Sequence, residues 1–212
     1  MIRVMLVDDH AIVRQGLRKV LGESPGIRVL AEAASVQEAL DISAKMDLDV
    51  VILDIGLPGR GGLEALAGLK ANKPAMHIVI FSMYSEEQYA IRCFRDGASA
   101  FVTKESPPSE LIHAINTVAS GRRYITPSIG ERMAGLLLDP DTRVPHERLT
   151  DRELQVLLGI GAGLGIIEIA GKLSLSPKTV STYKARILEK MGMQNTAQLV
   201  KYVVEANLSG KP

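Results

Sequence analysis

The chain has 212 residues, of which 46% are apolar and 23% are charged, and its 25 basic side chains nearly balance 24 acidic ones. That length suits one large domain or two small ones, and the composition is typical of a globular protein. A single cysteine, Cys93, excludes a disulfide framework and a cysteine-rich zinc module and is typical of a reducing cytosol. The N-terminus carries no signal-peptide pattern, and every apolar run is shorter than the ~18–20 residues of a membrane span. These features predict a cytoplasmic protein with no membrane partner.

The near-neutral total charge conceals two halves of opposite sign. Residues 1–121 carry 12 basic and 15 acidic side chains, whereas residues 122–212 carry 13 basic and 9 acidic ones. Within 171–190, five basic side chains stand against a single acidic one, Glu189. Such a split indicates two units with different partners, the second of them a candidate for binding a polyanion. On charge alone, a solvated helix surface explains the same pattern.

The first half alternates short apolar runs with segments of helical length. The runs are rich in Val, Ile and Leu, as strands buried on both faces must be. They occupy 3–8, 27–32, 49–54, 77–82 and 100–103. The helical segments occupy about 11–22, 35–46, 61–71, 86–96 and 107–120. Five consecutive βα units predict an α/β fold, a doubly wound parallel sheet with the flavodoxin-like strand order 2-1-3-4-5.

Local signals support two of these helices. Ser35 and Ser85 are followed three residues later by Glu38 and Gln88, the spacing of a capping box at a helix N-terminus. Cys93 lies in the fourth helical segment, where we expect it to pack as a small apolar residue.

The strand pattern stops near Gly121. We interpret 1–121 as the first domain, 122–148 as a linker with one short helix at 128–138, and 149–212 as a smaller all-helical domain. Within that domain, helical periodicity fills four blocks, at about 150–163, 167–174, 177–191 and 196–207. A short block, a break at 175–177 and a longer block are typical of a helix-turn-helix.

Polar side chains end the apolar runs of the first domain, where a ligand of an open α/β sheet is expected to bind. Neighbouring carboxylates repel one another unless a cation neutralises them, and Mg²⁺ is the hard ion that oxygen ligands suit. The pattern therefore predicts a receptor for a phosphoryl group. Its expected parts are Asp54 as nucleophile, Asp8 and Asp9 on the metal, and Lys104 and Ser82 on phosphate oxygens. Taken singly, each carboxylate is better explained as a helix N-cap, but that explanation does not easily account for the whole set.

Four segments match the pattern of one family: VMLVDDH at 4–10, VVILDIGLPGRGG at 50–62, IVIFS at 78–82 and GASAFVTK at 97–104. Through them, the first domain resembles the receiver domain of bacterial two-component response regulators. The resemblance implies that Asp54 accepts a phosphoryl group from a sensor histidine kinase and that Mg²⁺ is required. It also implies metal binding by the Gly56 carbonyl and switch roles for Ser82 and Phe101. Phe101 is equally explained as a core residue.

Two positions depart from the receiver pattern. Many receivers have proline after the lysine, usually through a cis bond, whereas Lys104 is followed by Glu105. A cis bond at that position would cost about 3 kcal/mol without proline. At the second position, Gly56 provides a carbonyl for the metal but no side chain that shields a phosphoryl group.

A basic helix is predicted at 177–191, with Ser176 as N-cap and Pro177 at the first helical position. At 100° per residue, one side of this helix is apolar and carries Val180, Tyr183, Ile187 and Met191. The opposite side carries Lys178, Ser181, Thr182, Ala185 and Glu189. Small and polar side chains with basic neighbours suit a helix that lies in the major groove of DNA. The solvated face of a small helical bundle fits the same pattern.

Two longer segments, LTDRELQVLLGIGAG at 149–163 and EIAGKLSLSPKTVSTYKARILEKMGM at 168–193, are similar to the LuxR-type helix-turn-helix of the NarL/FixJ response regulators. The resemblance implies that 177–191 contacts double-stranded DNA and that 196–207 helps to pair two chains. The residues expected to contact base edges are Lys178, Ser181, Thr182 and Ala185. The residues expected to contact phosphates, which provide affinity rather than specificity, are Thr179, Lys184, Arg186 and Lys190.

One segment departs from that family. Gly165, Ile166 and Ile167 stand where a polar segment of the Ser-Asn-Lys type usually opens the helix. This difference removes an N-cap and a backbone contact to phosphate. Either the two isoleucines pack against a partner or the first domain, or DNA binding is weaker than is usual in the family; we favour packing.

Together the two halves predict a transcription regulator switched by phosphorylation, not an enzyme. Phosphorylation of Asp54 is expected to favour a homodimer that binds paired promoter half-sites about one DNA turn apart. Two rivals stay open. A metal-dependent phosphatase would need a general acid where Gly56 stands, and a phosphorylation-independent interaction protein would use the Ile166–Ile167 pair.

Overall fold

The computed structural model describes residues 1–57, 62–84, 86–138, 144–206 and 208. The chain divides into two compact units, Met1–Gly130 and Glu131–Pro212. Within the described ranges, no helix combines the length and the apolar character that crossing a membrane requires.

Five parallel strands form the sheet of the first unit in the order β2-β1-β3-β4-β5, which confirms the predicted topology. The strands are β1 (Ile2–Val7), β2 (Ile27–Ala33), β3 (Val50–Leu53), β4 (His77–Ser82) and β5 (Ala100–Thr103). Strand order reverses at β1, whose neighbours are β2 and β3. The carboxyl ends of β1 and β3 therefore lie side by side, as the sequence predicted.

Helices cover both faces of this sheet. They are α1 (Ala11–Gly22), α2 (Val36–Lys45), α3 (Gly62–Asn72), α4 (Glu86–Arg95) and α5 (Pro108–Ala119). On one face, Leu21 of α1 and Ile115 of α5 pack over Val4 and Ile52 of the strands. Side chains alternate along a strand, so the neighbouring strand residues face the opposite layer, where α2 packs against α3. Burial on both faces explains why the strand sequences are apolar almost throughout.

The first unit extends beyond residue 121 because the chain after α5 returns to the edge of the sheet. The Tyr124 amide donates to the Ser99 carbonyl at 3.0 Å, and Tyr124 forms an isolated parallel bridge with Ala100. Its hydroxyl donates to Glu110 of α5 at 3.1 Å. Two residues later, the Thr126 hydroxyl donates to Glu86 Oε2 at the start of α4, 2.8 Å away. The β5 edge and the first turn of α4 are thus tied to the chain that follows the receiver-like segment.

The second unit is helical. It contains the end of α6 (Pro127–Leu138), a 3-10 helix (Pro145–Arg148), α7 (Asp151–Gly161), α8 (Ile166–Leu173), α9 (Pro177–Met191) and α10 (Thr196–Glu205). The central element is α7, which packs against α8, α9 and α10. The core residues Leu157, Val180 and Val203 are fully buried.

The helix caps and the turn before α9 can be compared with the sequence predictions one by one. The Ser35 hydroxyl accepts the Glu38 amide at 3.3 Å, which confirms that N-cap, whereas Ser85 lies outside the described residues. A capping box at Thr150 and Glu153 escaped prediction. The sharp turn before α9 begins earlier than expected, because Ser174 adopts a left-handed conformation with φ of 54°.

Close packing of α7 on α10 depends on a glycine. A Cβ atom added at Gly161 would lie 2.3 Å from Val203 Cγ1, a distance that no packed side chain tolerates. We expect Gly161→Ala to destabilise the second unit by about 1–3 kcal/mol, because the two helices must separate. Hydrogen exchange of the α7 and α10 amides measures this change.

The matched control is Gly171→Ala in α8, where an added Cβ meets nothing within 4 Å. Alanine loses less backbone entropy than glycine when a helix forms. That variant should therefore be as stable as the parent or more stable by up to about 1 kcal/mol. Equal exchange rates in the two variants would contradict the packing argument.

Candidate functional site

Two strand ends place the first pair of carboxylates. Asp8 follows β1 and its amide donates to the Ala33 carbonyl at 3.2 Å, while the Asp54 amide, after β3, donates to the Val7 carbonyl at 2.9 Å. These backbone bonds continue the pairing of the central strands beyond their ends. Both side chains are buried, with residue exposures of 3% and 5%. The fold therefore holds two carboxylates close together in a largely water-excluded position.

Lys104 neutralises this pair. Its ammonium lies 2.6 Å from Asp8 Oδ2 and 2.7 Å from Asp54 Oδ2, and its side chain is 9% exposed. Burial by itself lowers the pKa of Lys104, but attraction to Asp54 and Asp8 outweighs that effect and raises the pKa above its ordinary value. The lysine consequently stays charged between the two carboxylates.

Ser82 and Phe101, the two predicted switch residues, lie on the neighbouring strands β4 and β5. Ser82 ends β4 and is 1% exposed, with its hydroxyl accepting the Tyr84 amide at 3.4 Å. The Ser82 carbonyl accepts the Lys104 amide at 2.8 Å, which joins the ends of β4 and β5. Phe101 is fully buried within β5. The Lys104–Glu105 bond is trans, so the departure from proline brings no cis bond here.

The Gly56 backbone approaches Asp54 closely. Its amide donates to Asp54 Oδ1 at 2.9 Å, which orients the carboxylate. A Cβ atom at Gly56 would lie 3.4 Å from both carboxylate oxygens, in van der Waals contact with them. Glycine thus leaves the exposed side of the Asp54 carboxylate open, as the sequence comparison with receivers suggested.

The acidic side chains meet a simple test of fit for a divalent cation. Four residues offer ligand atoms that all lie within 4.8 Å of one another: Asp8, Asp9, His10 and Asp54. Asp9 Oδ1 is buried but accepts no aligned hydrogen bond from the described residues. A buried carboxylate oxygen without an aligned hydrogen bond is free to bind a cation, so this donor set fits the Mg²⁺ that the receiver resemblance implies. Sequence analysis missed His10, although it adjoins the Asp8–Asp9 pair.

The exposed surface of α9 carries most of the residues predicted to contact DNA. Ser176 caps the helix, accepting the Thr179 amide at 3.1 Å, and Pro177 occupies the first position. Val180, Ile187 and Met191 are buried, as the periodicity predicted. The exposed residues are Lys178, Ser181, Thr182, Ala185, Arg186 and Lys190, while Thr179 and Lys184 are half-buried.

Several of these polar groups already have partners. The Ser181 and Thr182 hydroxyls donate to the Pro177 and Lys178 carbonyls at 2.9 and 3.0 Å. Each hydroxyl oxygen keeps lone pairs that face outward from the helix and can accept a hydrogen bond. Both are therefore arranged as acceptors rather than as donors.

Lys190 is engaged inside the second unit. Its ammonium donates to Glu153 Oε2 at 2.7 Å, and the Glu153 side chain is 2% exposed. The same carboxylate oxygen accepts the Thr150 amide at 2.7 Å. Burial raises the pKa of Glu153, but the bonds from Lys190 and Thr150 outweigh it and lower the pKa below its ordinary value. This ion pair ties the end of α9 to the start of α7 and competes with any phosphate for Lys190.

The start of α8 is capped from within the helix. No side chain of Gly165 is present to cap it, but Glu168 Oε2 accepts the Gly165 amide at 2.7 Å. The carboxylate therefore occupies the helix N-terminus at which an anion would otherwise bind. Ile166 is half-buried and Ile167 is 78% exposed.

Comparison with known families places both units. Residues 4–116 match the response regulator receiver domain, and residues 147–203 match the bacterial regulatory proteins of the luxR family. The chain belongs to the LuxR-type response regulators. It is a two-component response regulator that combines a receiver domain with a LuxR-type DNA-binding domain, and such an architecture regulates transcription.

Relatives of this regulator are similar to it over nearly its whole length. The response regulator UvrY of Escherichia coli is 35% identical over 209 residues, covering 98% of this chain and 96% of the relative. GacA of Pseudomonas aeruginosa is 35% identical over 205 residues and covers 96% of each.

Two solved structures are also similar. A LuxR-family response regulator from Aurantimonas is 41% identical with a TM-score of 0.59, covering 65% of this chain and 98% of that one. RcsB from Salmonella enterica, solved on promoter P1flhDC with the phosphomimetic BeF3⁻, is 26% identical with a TM-score of 0.67. It covers 96% of this chain and 98% of its own.

The regulator's Lys190–Glu153 pair generates a pH-dependent prediction. Lys190→Met should destabilise the second unit by about 2 kcal/mol at pH 7, because a buried carboxylate is left without its cation. A lowered pKa in the folded state means that the carboxylate contributes stability above its unfolded pKa and loses it as pH falls through the folded value. The difference between variant and parent should therefore shrink as the pH approaches the ordinary glutamate pKa of about 4.3.

Hydrogen exchange of the α7 and α9 amides between pH 4 and pH 7 checks this expectation. Lys201→Met is the control, since Lys201 is 73% exposed and lies 3.6 Å from Glu205. A loss in Lys190→Met that is equally large at every pH would show that the ion pair is not its source.

Proposed function

We propose that this response regulator is switched by transfer of a phosphoryl group from a sensor histidine kinase to Asp54. The observation that carries the proposal is the Lys104 ammonium held between Asp8 Oδ2 and Asp54 Oδ2 at 2.6 and 2.7 Å. A fixed cation beside an ionised carboxylate lies where phosphoryl charge would develop. We place the reaction in the cytoplasm, in keeping with the DNA-binding domain.

In the proposed step, an Asp54 oxygen attacks the phosphorus of a phosphohistidine. The O–P bond forms as the P–N bond breaks, and the electron pair leaves with the imidazole nitrogen. Lys104 and the Ser82 hydroxyl bind phosphoryl oxygens, and the Gly56 amide keeps the Asp54 carboxylate oriented. Asp8, Asp9, Asp54 and the Gly56 carbonyl would hold Mg²⁺, which would supply positive charge to neutralise the phosphoryl group when bound.

The proposed switch starts from the competition for Lys104. In the unphosphorylated chain Lys104 binds both carboxylates, whereas an acyl phosphate adds oxygens that compete for the same ammonium. When Lys104 and Ser82 shift, they move the ends of β4 and β5, which are joined by a hydrogen bond. This movement changes the surroundings of Phe101 in β5. The chain after α5 is hydrogen-bonded to this side of the receiver through Tyr124 and Thr126. Phosphorylation thereby biases a two-state element that leads into the linker.

The second unit supplies the proposed output, which is binding to paired DNA half-sites as a homodimer. The α9 surface presents Lys178, Ser181, Thr182 and Ala185 toward base edges, with Thr179, Lys184 and Arg186 as phosphate contacts. Lys190 can join them only by leaving Glu153. The similar structure of RcsB on a promoter supports this use of the domain. The role of α10 in pairing two chains rests on its exposed apolar residue, Val204, and on the family.

The chain's chemistry favours a regulator over a phosphatase that turns over a small substrate. Gly56 offers no general acid two residues after the nucleophile, so we propose no enzymatic role beyond hydrolysis of its own acyl phosphate. The exposed Ile167 at the start of α8 is the feature in favour of a contact with another protein. Single exposed apolar residues are, however, common on protein surfaces.

Phosphorylation dependence is tested with the mimic BeF3⁻ and Mg²⁺. We expect promoter affinity and dimerisation of the parent protein to rise about 5- to 150-fold, the usual range of allosteric coupling. Asp54→Ala should not respond, because it lacks the acceptor. Analytical ultracentrifugation and fluorescence anisotropy with labelled DNA measure the two effects.

Asp47→Ala is the matched control, since its side chain is 82% exposed and pairs with Lys73 at 3.2 Å, away from the acidic site. That variant should respond like the parent. A response to the mimic in Asp54→Ala, or none in the parent, would reject Asp54 as the switch.

The two kinds of DNA contact are distinguished by their dependence on salt and sequence. Arg186→Ala should weaken specific and non-specific binding alike and reduce the slope of log affinity against log salt by about 1. Lys178→Ala should cost about 1–3 kcal/mol on the preferred site and relax discrimination at one base pair. Anisotropy titrations at several salt concentrations, with Lys45→Ala on α2 as control, separate these outcomes. A flat salt dependence would argue for a protein partner instead.

A further inference from the structure

Two hydroxyl groups stand on the exposed surface of α9, in its second turn. The Ser181 hydroxyl donates to the Pro177 carbonyl at 2.9 Å, and the Thr182 hydroxyl donates to the Lys178 carbonyl at 3.0 Å. Both residues are exposed, and no described residue donates a hydrogen bond to either side-chain oxygen. Because a hydroxyl has a single hydrogen, each of these groups has used its donor inside the helix and offers only lone pairs to a ligand.

These oxygens lie on the surface of α9 that faces away from the core. At about 100° per residue, Ser181 and Thr182 lie on either side of the line that joins Lys178 to Ala185. The four residues occupy about 10 Å of helix axis, which is the length of about three base-pair steps. Val180, on the opposite side of the helix, is fully buried. A helix that lies in the major groove by this surface therefore presents both oxygens to base edges.

An oxygen that only accepts hydrogen bonds discriminates among the groups of DNA. Phosphate oxygens are acceptors themselves and cannot pair with it. In the major groove, guanine presents the acceptors N7 and O6 and thymine presents the acceptor O4, whereas adenine presents an N6 amino group and cytosine an N4 amino group. A freely rotating hydroxyl would suit every base, but the two hydroxyls of α9 are left with the amino groups as their partners.

We propose that Ser181 and Thr182 recognise exocyclic amino groups, so that the preferred half-site carries adenine or cytosine, and excludes guanine and thymine, where each hydroxyl faces a strand. The inference rests on the proposed function in that α9 lies in the major groove of a promoter half-site. Lys178 supplies the complementary chemistry, because its ammonium donates to base acceptors, most commonly those of guanine. The preference for amino bases is degenerate, since the amino group of either base can donate.

The first test is in vitro selection from a random duplex library, with the full-length parent in BeF3⁻ and Mg²⁺. We expect positions at which adenine and cytosine are both recovered, while guanine and thymine on the same strand are depleted about 2- to 12-fold, the range of one hydrogen bond. Thr182→Val keeps the shape of the side chain without the hydroxyl and should lose this preference at one position. Ser181→Ala should lose it at another.

A double-mutant cycle isolates each contact. In the selected duplex, each adenine is replaced in turn by purine and each cytosine by pyrimidin-2-one, bases that lack the exocyclic amino group and add no acceptor in the major groove. Loss of the contacted amino group should weaken binding of the parent about 2- to 12-fold. The same replacement should leave the affinity of the variant without the corresponding hydroxyl unchanged. Fluorescence anisotropy measures these affinities, and any effect of the replaced base on the duplex cancels because every protein meets the same duplex.

Ser120→Ala is the matched control. The Ser120 hydroxyl also belongs to an exposed residue and donates to a backbone carbonyl, that of Thr117 at 2.7 Å, but it follows α5 in the first unit. That variant should respond to every base replacement as the parent does.

The outcomes separate this inference from the proposed function. Specific binding by the parent without coupling between either hydroxyl and any amino group overturns the acceptor role and leaves DNA binding by α9 intact. Selection of guanine or thymine at the positions that depend on the two hydroxyls overturns it as well, because the hydroxyls then act as donors. A parent that binds all duplexes alike in BeF3⁻ and Mg²⁺ overturns both proposals together.

Discussion

The charge balance around one lysine is the constraint on which the first unit depends. Two carboxylates, at Asp8 and Asp54, are buried beside each other at the ends of neighbouring strands, and a negatively charged pair in such a place needs a cation. Lys104 supplies that cation from the end of β5, fifty positions and more along the chain from either carboxylate. The site therefore exists only when three strands of the sheet are in register. Its chemistry reports directly on the state of the fold around it.

This arrangement couples the site to the edge of the sheet. Because Lys104 is bound through its backbone to Ser82 and through its side chain to the carboxylates, any change in the ligands of its ammonium acts on the ends of β4 and β5. The chain that leaves the first unit is hydrogen-bonded to the same edge through Tyr124 and, at Thr126, to the start of α4. Hydrogen bonds thus connect the edge strand beside the site with the residues that follow α5.

The second unit uses the same principle, a buried carboxylate paired with a lysine. Glu153 is a buried carboxylate at the start of α7, and Lys190 reaches it from the end of α9. The pair ties the end of α9, the helix that carries Lys178 and Arg186, to the start of α7. Lys190, which the basic composition of α9 makes a candidate for contacting DNA, forms a structural ion pair instead. Charge alone does not distinguish the two uses, because both require a basic side chain on the same helix.

Sequence patterning by itself determined the strand order, nearly every helix boundary, and the residue types of the acidic site. Short apolar runs, helical periodicity and the polar residues that end each strand are local properties, and the strand order follows from the handedness of crossovers. What only the tertiary structure decided involves residues far apart in the chain. The partner of Lys190, the closeness of His10 to Asp9 Oδ1 and the glycine contact between α7 and α10 depend on how elements pack. The left-handed Ser174 was also missed, because a serine carries no signal for positive φ until the turn between α8 and α9 requires it.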